Sequence, residues 1–143
     1  AYDDILKSVK KKYSHALIHG ITVQKMAPWG TEVIIGTSKD PQFGPVIMFG
    51  LGGVFVEILK DVSFRVIPVG RRDAQEMIRE TKGFPLLQGY RGKEPANISA
   101  LIGMILKISK LINENPVIKE MELNPVLAYR DKALAVDARI ILE

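Results

Sequence analysis

The chain contains no cysteine, which excludes disulfides and thiolate metal sites. Histidine is nearly as scarce. His15 and His19 lie four apart, Gly20 follows at once, and no further ligand stands near them, so a tetrahedral zinc site is not expected. Long apolar runs are missing too: none reaches the roughly 18 uncharged residues that a membrane span requires. The N-terminus lacks the charged-then-apolar pattern of a secretory signal, and a cytoplasmic location with no membrane partner is expected. Charge of either sign is modest. The net charge of +4 and pI near 9.3 suit phosphorylated ligands but are too weak to argue nucleic-acid binding. No repeat, linker or low-complexity segment interrupts the chain. The avoidance of cysteine, with many Lys, Glu and Ile residues, is compatible with a thermophilic source.

What is present is enough for one ordinary domain: 143 residues, 47% of them hydrophobic, can bury a real core. Tyr2 to Tyr13 reads as a short amphipathic helix, with Ile5, Leu6 and Val9 on one side and Lys7, Lys10, Lys11 and Lys12 mostly elsewhere. Strands are expected at Ile21–Met26, Thr31–Gly36 and Pro45–Phe49, separated by turns at Ala27-Pro28-Trp29-Gly30 and Lys39–Gly44. Sequential strands on short turns make an antiparallel sheet. Glycines cluster in Gly50-Leu51-Gly52-Gly53, before extended runs at Val54–Leu59 and Ser63–Pro68. Arg72–Arg79 is expected to be a helix that Gly83-Phe84-Pro85 ends, and Leu86–Pro95, with Gly89, Gly92, Arg91 and Lys93, an exposed loop. Asn97 is expected to cap a longer helix whose Ile98, Leu101, Ile105, Ile108 and Ile112 form a core-facing stripe. Asn113–Pro116 stops that helix, and a hairpin closes the chain. The order of elements predicts an α+β fold, an antiparallel sheet with flanking helices.

The closing hairpin carries the most chemistry. In Glu122-Leu123-Asn124-Pro125-Val126, strand alternation puts Glu122 and Asn124 on one face. In Ala135-Val136-Asp137-Ala138-Arg139 it puts Asp137 and Arg139 together. A turn centred on Arg130-Asp131 sets Asn124 opposite Asp137 and Glu122 opposite Arg139. Magnesium takes oxygen ligands, keeps several waters and needs only one or two protein carboxylates beside nucleotide phosphates, so Glu122, Asn124 and Asp137 are a suitable set. The plainer alternative is a half-buried hairpin whose outer face bears a charge pair.

Three further segments offer weaker signals. Gly50, Gly52 and Gly53 could let backbone N–H groups converge on a phosphate, or could form a tight turn or bulge; they match neither the Rossmann fingerprint nor the P-loop. The backbone of Val23, Gln24, Lys25 and Met26 could hold an adenine, or be an ordinary strand. Glu32 could accept from ribose hydroxyls, or face solvent. Arg65 could clamp phosphate oxygens as a catalytic group, or pair with Asp61 or Glu57.

Taken together, Val23-Gln24-Lys25-Met26, Glu32-Val33-Ile34-Ile35-Gly36, Asp40-Pro41-Gln42-Phe43-Gly44-Pro45, Met48-Phe49-Gly50-Leu51-Gly52-Gly53, Glu122-Leu123-Asn124-Pro125-Val126 and Ala135-Val136-Asp137-Ala138-Arg139 resemble the C-terminal subdomain of the ATP-grasp domain of ADP-forming acyl-CoA synthetases. The order and spacing of the blocks agree from about Ile21 onward. The resemblance, shared with the succinyl-CoA synthetase β subunit, implies magnesium at Asn124 and Asp137 with Glu122 close by, and ATP or ADP as the nucleotide. It implies an adenine pocket at Val23 to Met26 and an acidic nucleotide contact at Glu32. Residues 1–20 then correspond to the end of a first subdomain, and 21–143 to the nucleotide- and magnesium-binding subdomain. The family's phosphate-binding lysine and relay histidine have no counterpart here, so the missing N-terminal subdomain and a CoA-binding α subunit are the implied partners, in a hetero-oligomer. The implied activity interconverts acyl-CoA, ADP and phosphate with acid, CoA and ATP through an acyl phosphate and a phosphohistidine. Two alternatives differ in kind: an ATP-grasp carboxylate–amine ligase, or a non-catalytic module holding nucleic acid on Lys7, Lys10, Lys11 and Lys12, which predicts steep salt dependence. The lysine run lacks interleaved aromatics, and no nucleic-acid partner is expected.

Overall fold

The computed structural model describes residues 1–53, 59–90, 92 and 94–143. Helix α1 (Tyr2–Lys12) forms where the apolar spacing places it, with Asp3 and Asp4 in its first turn and Lys10, Lys11 and Lys12 in its last, an arrangement that complements the helix dipole. None of its residues is buried. The chain beyond it stays irregular as far as Gly30. The strand expected at Ile21–Met26 does not form, and Val23 and Met26 are 92% and 89% exposed. Strand pairing requires a free sheet edge, and strand β1 (Thr31–Asp40), into which this segment leads, is flanked on both sides.

Strand β1 outruns its expected end at Gly36. It continues to a turn in which the Asp40 carboxylate accepts from the N–H groups of Gln42 and Phe43, at 2.8 and 2.9 Å. Strand β2 (Gly44–Leu51) returns in register, Asp40 facing Gly44 and Val33 facing Leu51. Strand β3 (Val62–Val66) pairs on its far side. The extended run expected at Val54–Leu59 falls, at 54–58, outside the described residues, as do Arg91 and Lys93 of the later loop.

Helix α2 (Arg71–Glu80) opens with Asp73 accepting from the Gly70 N–H at 2.7 Å. Thr81, not Gly83-Phe84-Pro85, closes it, with its hydroxyl donating to the Ile78 carbonyl at 2.9 Å. Phe84–Leu87 instead makes one further helical turn, α3, in which Pro85 sits where a missing N–H costs nothing. The expected exposed loop is thereby pinned at its start, since Leu87 is fully buried.

Helix α4 (Ile98–Glu114) begins at Asn97 as read from the sequence. The Asn97 side chain accepts from the Ala100 N–H at 2.9 Å, its Nδ2 donates to the Asp131 carbonyl at 3.3 Å, and its own N–H donates to the Tyr129 carbonyl at 2.7 Å. Leu101, Ile105, Ile108 and Ile112 are buried, as is Ile102. Ser109 shares that buried face because its hydroxyl accepts the Val69 N–H at 3.0 Å, which satisfies a donor that would be costly to leave bare.

The closing strands are β4 (Ile118–Ala128), β5 (Ala133–Ala135) and β6 (Ala138–Leu142). All described pairings are antiparallel, in the order β3-β2-β1-β4-β5, with β6 also on β4. One face of the sheet, through Val33, Ile35, Ile47, Phe49, Leu51 and Leu123, packs against Met77 and Ile78 of α2 and the stripe of α4. Each of these side chains stabilises the fold by about 1.5–3 kcal/mol through removal from water. The alternate residues face away from the helices. Among the described residues no helix is long and apolar enough to cross a membrane.

Candidate functional site

The helix-free face of the sheet carries a cavity of about 270 Å³, bounded by Gly36 and Ser38 of β1, Met48 of β2, Phe64 of β3, Glu120 and Glu122 of β4, and Arg139 of β6. Among the described residues no helix residue lines it. The period of two explains most of the membership: 36 and 38, 46 and 48, and 120 and 122 share one side, while Ile35, Ile47 and Leu123 enter the core; Thr37 and Met121, paired across β1 and β4, also touch the cavity.

The hairpin register agrees with the sequence reading. Glu122 faces Arg139 on one side and Gly36 on the other. Asn124 stands across from Asp137, its N–H donating to the Asp137 carbonyl at 3.3 Å. The Asn124 Nδ2 donates to Glu122 Oε1 at 3.0 Å, which turns the amide oxygen away from Glu122 and leaves it free to face a cation. Asp137 lies between β5 and β6, and its Oδ1 accepts from the Ala138 N–H at 2.9 Å. Among the described residues no three His, Cys, Asp or Glu side chains form a metal cluster. The oxygens that Glu122, Asn124 and Asp137 would offer are two carboxylates and an amide, all hard donors, and such a set would suit magnesium that retains waters and phosphate ligands.

Glu32 is exposed and belongs by alternation with Ile34 and Gly36. Gly52 lies against it: a Cβ built at Gly52 would come within 2.8 Å of the Glu32 Cβ, and the Gly52 N–H donates to the Glu32 carbonyl at 2.8 Å. That corrects the expectation of an anion nest over Gly50, Gly52 and Gly53. Gly50 is a ladder residue between Ile34 and Val62, and the Gly52 N–H already has its acceptor. Gly53, at φ +62°, does turn the chain through the left-handed region that glycine favours.

Arg65 also departs from expectation. Phe64 reaches the cavity, so alternation sends Arg65 to the opposite face, where it is ion-paired with Glu80 at the end of α2. The hydrogen bond to Glu80 raises the guanidinium above its ordinary value, and the same bond holds the Glu80 carboxyl below the usual carboxylate range. Asp61, the alternative partner, accepts instead from the N–H groups of Lys82 and Gly83, both at 2.7 Å. Arg65 does not meet the cavity. Val23, Gln24, Lys25 and Met26 do not line it either. Ser38, Met48, Phe64 and Glu120 were missed from the sequence, although counting by two from Gly36 and Glu122 finds Ser38 and Glu120.

Comparison with known proteins completes the picture. The β subunit of acetate–CoA ligase [ADP-forming] I from Pyrococcus furiosus is 53% identical over 142 residues, which are 99% of this chain and 61% of that protein. A structure of acetyl-coenzyme A synthetase 1 from Ca. Korarchaeum cryptofilum, with coenzyme A, acetyl-coenzyme A and a phosphorylated phosphohistidine segment, superposes with TM-score 0.93 at 52% identity, covering 100% of this chain and 64% of that one. Another structure of that enzyme, with coenzyme A and Mg-AMPPCP, gives TM-score 0.81 at 53% identity over 84% of this chain and 56% of that one. The chain thus spans about three fifths of the length of the curated relative. Residues 1–142 match the model of the ATP-grasp domain, and the chain belongs to that family.

Proposed function

We propose that this chain holds Mg-ADP or Mg-ATP on the open face of its sheet, as the nucleotide-binding part of an ADP-forming acyl-CoA synthetase acting on acetyl-CoA or a related thioester. The observation that carries the reading is the register seating Glu122 between Gly36 and Arg139, with Asn124 bonded to Glu122, in a chain of the ATP-grasp family. Asn124 and Asp137 offer the oxygen ligands, and Glu122 fixes the amide orientation. When bound, magnesium neutralises phosphate oxygens and aligns them for transfer. Glu32, exposed on β1, would accept from ribose hydroxyls.

The activity of the whole assembly, acyl-CoA with ADP and phosphate exchanging for acid, CoA and ATP through an acyl phosphate and a phosphohistidine, needs groups this chain lacks. An N-terminal ATP-grasp subdomain, of which residues 1–20 would be the end, and a CoA-binding α subunit supply them in a hetero-oligomer. A cytoplasmic location follows from dependence on ATP and CoA. Calorimetric titration of ADP with and without magnesium, into this chain and into its Asn124→Ala and Asp137→Ala variants, tests the reading. Magnesium-dependent binding weakened by both changes is expected; no binding, by the chain alone or joined to an N-terminal subdomain, would sink the assignment.

A further inference from the structure

Among the described residues lining the cavity Arg139 is the cation. It stands directly across the strand pair from Glu122, where an opposite charge would ordinarily pair with it. That pair does not form. Glu122 takes its hydrogen bond from Asn124 at 3.0 Å, and among the described residues Arg139 has no ion pair or side-chain hydrogen bond. Two other strand cations, on β1 and β3, are committed elsewhere. Lys39 reaches Glu143 at 2.6 Å and the Pro116 carbonyl, and Arg65 is tied to Glu80 on the helix side.

A guanidinium has five donors in a planar fork and no acceptor, and phosphate oxygens match that fork. Gly36, on the same face and on the far side of Glu122 from Arg139, adds no side chain there, so Glu122 alone stands between the β1 floor and the guanidinium. The carboxylates of Glu120 and Glu122 in the cavity lining carry two negative charges against this one positive charge, so a divalent cation bound there would leave the face net positive. A polyanion can then approach it.

We propose that Arg139 is the residue that binds the phosphate oxygens of the nucleotide, the role that sequence reading assigned to Arg65. The proposal rests on the nucleotide reading above and names the group that contacts the polyphosphate. It predicts a contact that scales with phosphate and not with the nucleoside.

The test is calorimetry on the wild-type chain, Arg139→Ala and Arg139→Lys with three probes: Mg-ADP, inorganic tripolyphosphate with magnesium, and adenosine. Arg139→Ala is expected to weaken Mg-ADP and tripolyphosphate ten- to hundredfold, with adenosine unchanged and Arg139→Lys intermediate. Equal affinities of wild type and Arg139→Ala for both phosphate probes overturn the proposal, and so does an equal loss for adenosine, which marks a structural role. If tripolyphosphate binding depends on Arg139 but Mg-ADP does not bind, the nucleotide reading falls and the anion site stands. Binding of no phosphate probe by wild type overturns both. Thermal unfolding separates these outcomes from misfolding, since Arg139 is exposed on a strand at the sheet's margin.

Discussion

The two faces of one sheet follow different rules. Ile47 and Met48 are neighbours on β2, yet Ile47 is fully buried beneath the helices while Met48 borders an open cavity. On the helix side Val33, Ile35, Ile47, Phe49 and Leu51 are packed into the core. On the other side the sequence mixes Gly36, Ser38 and Glu122 with Met48 and Phe64, and 56% of Phe64 remains exposed. Stability is concentrated on one face and chemistry on the other, and alternation along each strand keeps them apart.

The sharpest way to break this comparison is a pair of adjacent substitutions. Ile47→Ala is expected to cost about 2–5 kcal/mol in urea unfolding, through lost burial and the cavity left behind. Met48→Ala should cost about 1 kcal/mol or less, because its side chain has no packed partner above it. Equal losses would show that the open face is packed in solution. Next, Gly52→Ala forces a Cβ to within 2.8 Å of Glu32, and a loss of about 1–3 kcal/mol is expected from the displaced backbone. An unchanged melting curve would mean that the segment beyond β2 yields freely. Removing the α4 cap by Asn97→Ala should cost about 1 kcal/mol on the helix side, measurable by thermal unfolding.

The smallest effect concerns Arg65 and Glu80, the ion pair on the helix-side margin. Because the folded Glu80 carboxyl lies below its ordinary value of 4.5, the pair's contribution is fully present above that pH. It fades as pH falls through the lowered value. Both groups are partly exposed, so Glu80→Gln should cost less than about 1 kcal/mol at pH 7. The difference from wild type should shrink in unfolding curves below pH 4, and a difference that grew toward low pH would contradict the pairing.

The hairpin register was legible because the turn position fixes the cross-strand pairs from Ala128 back to Glu120, and Glu122 facing Arg139 followed by counting. The α4 stripe and its Asn97 cap were legible for similar reasons: local spacing and a local hydrogen bond. Arg65 was misread because its chemistry was judged without its parity; Phe64 beside it claims the cavity, so Arg65 cannot. Gly50 and Gly52 were misread because a glycine's reason is not written in its own neighbourhood. Glu32, on the adjoining strand, supplies it for Gly52. The Val23 to Met26 segment looked like a strand by composition, but pairing depends on a free edge, which composition does not report. Ser38 and Glu120 were within reach of counting by two along their own strands, whereas Met48 and Phe64 needed the β1-β2-β3 register that the folded chain supplies.

Asn97 has a wider consequence. By gripping Ala100 ahead of it and the carbonyls of Tyr129 and Asp131 far along the chain, it fastens the start of α4 to the tip of the hairpin that bears Asn124 and Asp137. Fraying of the helix and loosening of that tip then become one event. Amide hydrogens at both places should exchange at a common rate, so a residue outside the cavity sets how long the two strands of the candidate site remain in register.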